Sequence, residues 1–339
     1  MKLYIRATGN ISPQNSFGHP PLLQEIVVQA GNRLTCKEPD YTKLIDVKLI
    51  RRMSRVIKMG VASAMDCLQE AQVKNPDAII TGTAYGCLED TGVFLKKMIA
   101  QNEEMLTPTA FIQSTHNTVG AQIALMLQCH NYNNTFVHRG FSFESAVRDA
   151  QMLIAENPGT NALVGSVDEI THASHAILSR FGIYKAELDS NMNLFEDESK
   201  GTIAGEGAAF FLLTDSPSGN DYALLTAMDT LYKPAADEDV ILWIEKTLAA
   251  SGVEPSSIDL FITGRNGEPV SDKIYDSVLK KFSAANTSNY KHLCGEYPTS
   301  TSFALWMASS LIRDGKQKSI LIYNHYLGIH HSLFLLTAC

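Results

Sequence analysis

The residues of this chain able to do chemistry are its histidines, its cysteines, a serine at a helix start and one cluster of cations. Ser142 opens SFESAVRDAQMLIAE, well placed to cap a helix, with Ser145 one turn further in. His138 stands just before it, and His116 lies in STHNTVGAQIAL; each can line a pocket or serve as a hydrogen-bonded structural histidine. His172 and His175 have the i, i+3 spacing of one helix face, but no acidic or cysteine partner accompanies them, so no metal site is expected. The six cysteines are scattered without CxxC spacing, which fits reduced thiols in a cytosolic protein. Cys87 and Cys294 read as buried, inert thiols. In GEGA (Gly205, Glu206, Gly207, Ala208) the glycines permit close backbone approach and the carboxylate can accept backbone N–H bonds. Lys48, Arg51, Arg52, Arg55 and Lys58 stand out against a net charge of −8, suited either to steering an acidic partner or to internal salt bridges.

Such residues need a frame. The 339 residues are 45% hydrophobic and 19% charged, as in a compact protein with a large core. The acidic balance argues against nucleic-acid binding. No apolar run reaches the roughly 18 residues of a membrane span. MKLYIRATGNISP lacks the apolar segment of a signal peptide, so a cytoplasmic location is expected. Short β-rich runs alternate with helical ones. KLYIRATG, DAIITGTA, NTFVH, NALVGS and GAAFFLLTD read as strands, and a helix is predicted from Leu49 to Leu68 by its apolar spacing. PTAFIQSTHNTVGAQIALMLQ reads as a further helical stretch. After SPSGND the β/α order begins again, giving two halves, 1–215 and 216–339, with mixed sheets covered by helices.

FEDESKGTIAGEGAAFFLLTD resembles the β-ketoacyl synthase signature in which an acidic loop leads to G-x-V-x-G-E-G-A-G, here Gly201, Gly205, Glu206, Gly207 and Ala208. YIRATGNISPQ, LIRRMSRVIKMGVASAMDCLQEA, TGTAYGCLEDT and LVGSVDE resemble further pieces in the family's order. The chain therefore resembles the ketosynthases of the thiolase superfamily over nearly its whole length. RGFSFESAVRDA and STHNTVGAQIAL resemble the ketosynthase-like, chain-length-factor-like members of aryl polyene and flexirubin-type pigment clusters. The resemblance implies an α/β thiolase-like fold, two similar β/α halves in αβαβα layers.

It also implies a catalytic cysteine at a helix N-terminus and two histidines that stabilise an enolate. Counted from LVGS, the cysteine position falls on Gly140. The first histidine position falls on Gly264, in a run that retains Pro269 and Asp272. The second falls on Glu296, with Lys291 and Gly295 retained; a carboxylate there would repel the enolate. Phe141, Phe143 and Tyr297 flank these positions and suggest a filled tunnel. His330 and His331 replace part of the family's glycine-rich gate. The expected function is that of a non-condensing, chain-length-factor-like partner of an active ketosynthase in fatty-acid, polyketide or aryl-polyene-type synthesis. The partner would be that ketosynthase or a second copy of the chain, joined through the NTFVH strand, with no cofactor. Acyl carrier protein would meet Arg51, Arg52 and Arg55. A second reading has Ser142, His138 and Glu296 converge as nucleophile, base and orienter for acyl transfer or thioester hydrolysis. A third is an acyl-binding homodimer without turnover.

Overall fold

The computed structural model describes residues 1–282 and 285–339. The first half runs β1 (Leu3–Ile11), α1 (Val47–Ile50), α2 (Arg55–Ala71), β2 (Ala78–Gly82), α3 (Leu88–Ala100), α4 (Pro108–Gln113), α5 (Thr118–Leu127), β3 (Tyr132–Phe136), α6 (Ser142–Glu156), β4 (Asn161–Asp168), α7 (His172–Arg180) and β5 (Gly207–Thr214). The second runs β6 (Ala223–Tyr232), α8 (Asp237–Ser251), β7 (Leu260–Thr263), α9 (Lys273–Lys281), β8 (Asn286–Asn289), α10 (Lys291–Cys294), α11 (Thr301–Arg313), β9 (Ser319–Tyr326) and β10 (His330–Thr337).

The strands hydrogen-bond in the order β3-β2-β4-β5-β1-β6-β10-β9-β7-β8. Read inward from either edge, each half places its third, second, fourth, fifth and first strands in turn. Senses repeat as well: β2 is parallel to β3 and β4, as β7 is to β8 and β9, while β5 and β10 are antiparallel to their neighbours. The halves meet where Leu3, Tyr4 and Ile5 of β1 pair with Leu225, Leu224 and Ala223 of β6.

Successive strand residues face opposite sides, and the apolar side chains divide accordingly. Ile80, Phe211 and Ile322 join α6 and α11 in a central core, whereas Ile79 and Phe210 pack under α2 and α5. Leu321 packs under α8 and α9. The layers are helix, sheet, helix, sheet, helix, as expected. Burial of α11 on nearly all sides explains its apolar and small residues, Phe303, Ala304, Leu305, Trp306 and Ala308 among them.

Two helical expectations are corrected. The helix predicted from Leu49 breaks at residues 51–54, because Ser54 is extended (φ −67°, ψ 174°) while Met53 turns into the core. The stretch from Pro108 divides into α4 and α5 around the turn at Ser114–Asn117.

Candidate functional site

The turn between β3 and α6 carries four residues at its apex: His138, Arg139, Gly140 and Phe141. Arg139 is left-handed (φ 50°), which folds the chain sharply into the helix. Gly140 is packed against the far end of the second half. A Cβ there would lie 2.8 Å from Cβ of Tyr326 and 3.0 Å from Cβ of His330. The Phe141 ring meets His330 edge-on at 4.7 Å. This apex therefore offers an imidazole, a guanidinium, a bare backbone and a buried phenyl ring, with no thiol.

Gly264 follows β7 and is confined in the same manner. A Cβ would lie 2.1 Å from Asn324 Oδ1 and 2.8 Å from the Tyr275 hydroxyl oxygen. Asn324 is itself held, its Oδ1 accepting from the Tyr290 hydroxyl at 3.0 Å. Glu296 is buried, and its Oε2 accepts from Lys291 Nζ at 2.6 Å and from Asn266 Nδ2 at 2.7 Å. Lys291 is fully buried too, so the two charges neutralise each other in a site closed to water. Asp272, from the same retained run as Pro269, accepts the backbone N–H groups of Asn266 and Gly267 and holds that loop.

Open space remains next to this filled centre. A cavity of about 160 Å³ lies at the carboxyl ends of β2 and β4, walled by Tyr85, Leu88, Ile177, Tyr184, Tyr297 and Tyr326. The hydroxyls of Tyr85 and Tyr326 meet across it at 3.1 Å. Two carboxyls border it. Burial raises Asp168 to about 6, even though it accepts from Thr83, Ala84, Tyr85 and Thr299. Burial likewise raises Glu169 to about 7.

With that geometry in hand, similarity to known proteins can be placed. Residues 30–180 match the family profile of the β-ketoacyl synthase N-terminal domain. The structure titled the ishigamide ketosynthase/chain length factor superposes with a TM-score of 0.83 at 16% identity, covering 100% of this chain and 99% of that one. Over residues 30–180 the chain is similar to the β-ketoacyl synthase N-terminal domain, and its fold is the thiolase-like fold of these ketosynthase structures. A β-ketoacyl synthase from Burkholderia phymatum STM815 is similar at TM-score 0.78 and 12% identity, covering 100% of this chain and 99% of that one. A ketosynthase in complex with its chain length factor from Xenorhabdus doucetiae gives TM-score 0.75 and 15% identity, covering 99% and 98%. No curated protein sequence matches.

Several expected residues find partners other than those read from the sequence. Glu206 does anchor its loop, accepting from the N–H groups of Cys36 (3.0 Å) and Ile170 (3.1 Å). It also binds Arg55 through two N–H bonds of 2.7 and 2.6 Å, and Arg55 reaches Glu38 as well. Arg55 is thus tied into an internal network while still partly exposed, and Arg51 and Arg52 are exposed in the turn before α2. Gly205 and Gly207 are tight, a Cβ at Gly205 falling 2.1 Å from the Cys294 carbonyl oxygen.

Ser142, expected as a helix cap or as a nucleophile, is the first residue of α6 and fully buried. Its Oγ accepts the His138 N–H and donates to the Arg139 carbonyl, both at 2.8 Å. The structure does not bring Ser142, His138 and Glu296 together: Ser142 bonds only backbone, and Glu296 bonds Lys291 and Asn266. The His138 ring faces Ser145 instead, with Nδ1 3.4 Å from its Oγ. Sequence reasoning missed this pairing because it depends on the left-handed turn at Arg139.

Phe143 packs in the core between Phe211 and Phe334, and Tyr297 walls the remaining cavity instead of closing it. Burial pushes the Cys87 thiol up to about 12 and raises Cys294 well above its ordinary value, so both are protonated at neutral pH. His175 stacks on Tyr184 at 5.3 Å, and no metal-binding cluster of three ligands occurs among the described residues. His116 packs over Gly86. His331 bonds the Tyr323 hydroxyl at 2.9 Å inside β10, so part of the expected gate is sheet.

Proposed function

We propose that this protein is a non-condensing ketosynthase homologue that pairs with an active ketosynthase subunit and shapes its acyl pocket. The observation that carries the reading is the packed apex at Gly140: it has no acylable thiol, and Tyr326 and His330 fill the space where one would project. Gly264 and Glu296, in place of the histidines, leave nothing to stabilise an enolate. Two of the structures similar to this one are of a ketosynthase with a chain length factor, which supports assignment to the second role.

The partner would add to β3, which lies at the sheet edge with one side of its backbone unpaired. Exposed apolar residues continue from that edge, among them Tyr132, Val137 and Leu125. Arg51 and Arg52, exposed beside the partly exposed Arg55, are the cations that would attract an acidic acyl carrier protein. Synthesis of an aryl-polyene, polyketide or fatty-acid chain in the cytoplasm is the setting this role implies.

Co-expression with candidate ketosynthases, followed by sizing and mass measurement, tests the reading. A one-to-one complex is expected, and it alone should condense malonyl and acyl thioesters. A stable monomer that ignores every candidate ketosynthase would overturn it.

A further inference from the structure

We propose that Ser145 and His138 form a nucleophile–base pair that takes the acyl group of a short activated ester or thioester. The pair lies in a second cleft of about 390 Å³, which shares the Phe141 ring with the filled apex and is otherwise walled by Phe136, Met152 and Met228 with Arg148 and the carboxyls of Glu144 and Asp149. Phe141, Ser145, Arg148 and Met152 are spaced four, three and four residues apart, so one face of α6 lines it.

Three observations single out Ser145. Its hydroxyl is half-buried at the cleft wall, and the His138 ring is its sole hydrogen-bond partner among the described residues. The neighbouring Ser142 is committed to backbone at both donor and acceptor and serves as a positioning residue, since its bonds to His138 N and Arg139 O fix the turn that aims the imidazole. The Phe141 ring stands 5.6 Å from the His138 ring, nearly edge-on, and restricts its rotation. The separation of 3.4 Å between Nδ1 and Oγ is the loose contact of an unliganded dyad, which tightens once an acyl group excludes water.

Chemistry follows from the arrangement. Ser145 Oγ attacks the acyl carbonyl carbon while its proton passes to His138 Nδ1. The tetrahedral oxyanion forms one helical turn from the Arg148 guanidinium, which is anchored to the Met228 carbonyl and Asp229. Collapse breaks the bond from carbon to sulfur or oxygen, and the leaving thiolate or alkoxide takes the proton from His138. Water then attacks the acyl-serine with the same base and releases the acid. Phe136, Phe141, Met152 and Met228, with the cleft volume, suit a chain of a few carbons. No backbone oxyanion hole is built here, so the acyl group must be activated.

The test is incubation of the purified chain with p-nitrophenyl butyrate and with butyryl-CoA, following product release, intact mass and peptide mapping. Butyryl is expected on Ser145. Ser145→Ala should abolish the adduct, and His138→Gln should slow its formation by roughly 10²-fold. Ser145→Cys should retain acylation, which separates loss of the nucleophile from loss of the fold. An adduct elsewhere, no adduct at all, or a rate unchanged in His138→Gln would overturn the proposal. None of these results bears on pairing with a ketosynthase, which sizing reads independently.

Discussion

The turn from β3 into α6 and the segment from β8 into α11 occupy equivalent places in the two halves, and they are closed by different forces. In the first half the apex is sealed by shape, with Phe141, Tyr326 and His330 packed around Gly140. Its polar side chains, His138 and Arg139, stay at the surface. In the second half the equivalent region is sealed by charge, with Lys291 and Glu296 buried against each other and Asn266 added as a donor. Apolar packing tolerates adjustment, because volume can be redistributed at small cost. A buried ion pair does not, because removing one member strands the other. The second half should therefore be the more brittle, and the first the one free to acquire new contacts.

The largest test of that contrast is Lys291→Met. It leaves the Glu296 carboxylate buried with Asn266 alone, and a loss of about 3–5 kcal/mol is expected in denaturant unfolding. Lys291→Met combined with Glu296→Met should recover most of it. A loss under about 1 kcal/mol for the single variant would show that charge does not hold this half.

Glu144 sits between the halves, on α6, accepting from Thr301 Oγ1 of α11 at 2.7 Å. Burial raises it from 4.5 to about 7. The folded value lies above the unfolded one, so its contribution is fully present below about pH 4.5. That stability is lost as pH rises towards 7, when the buried acid must ionise. Glu144→Gln should thus gain on the parent protein by up to about 3 kcal/mol at pH 8 relative to pH 4. Melting curves at the two pH values measure it, and a difference independent of pH would remove Glu144 from the account.

Gly140→Cys carries the smallest expected effect, about 1–3 kcal/mol of overpacking. Its thiol, pressed on Tyr326 and His330, should stay unmodified when the variant is mixed with acyl thioesters and examined by mass spectrometry. An acylated Cys at this position would mean that the apex opens readily and that shape alone does not seal it.

Much of the frame was legible from periodicity. The apolar spacing in SFESAVRDAQMLIAE matches α6 to the residue, and GAAFFLLT forms β5 with every residue buried. Elements without an apolar signature were not legible. NTSN is polar, yet it forms β8 because β7 offers it a parallel edge. LEDTGVFLKKMIA, interrupted by Gly92, forms α3 with no fully buried residue, so it shows no clear apolar stripe. The site divides similarly. That Glu206 would hold backbone was readable from its glycine neighbours, but its pairing with Arg55 across 151 residues was not. The basic cluster looked uniform in sequence, and only tertiary packing separates Arg55 from Arg51 and Arg52.

The placement of β1 has a consequence for how the chain is made. Its residues are made before those of every other strand, yet both its neighbours are distant: Tyr4 pairs with Thr214 on one side and Leu224 on the other. Leu3, Ile5 and Ala7 are fully buried in the finished protein. Until residues 208–225 have emerged, this apolar strand has no mate, and closure of the sheet waits on contacts of very long sequence separation. The pairing of β1 is therefore a late step of folding, and until then its apolar edge is open to the off-pathway contacts that unpaired strands invite.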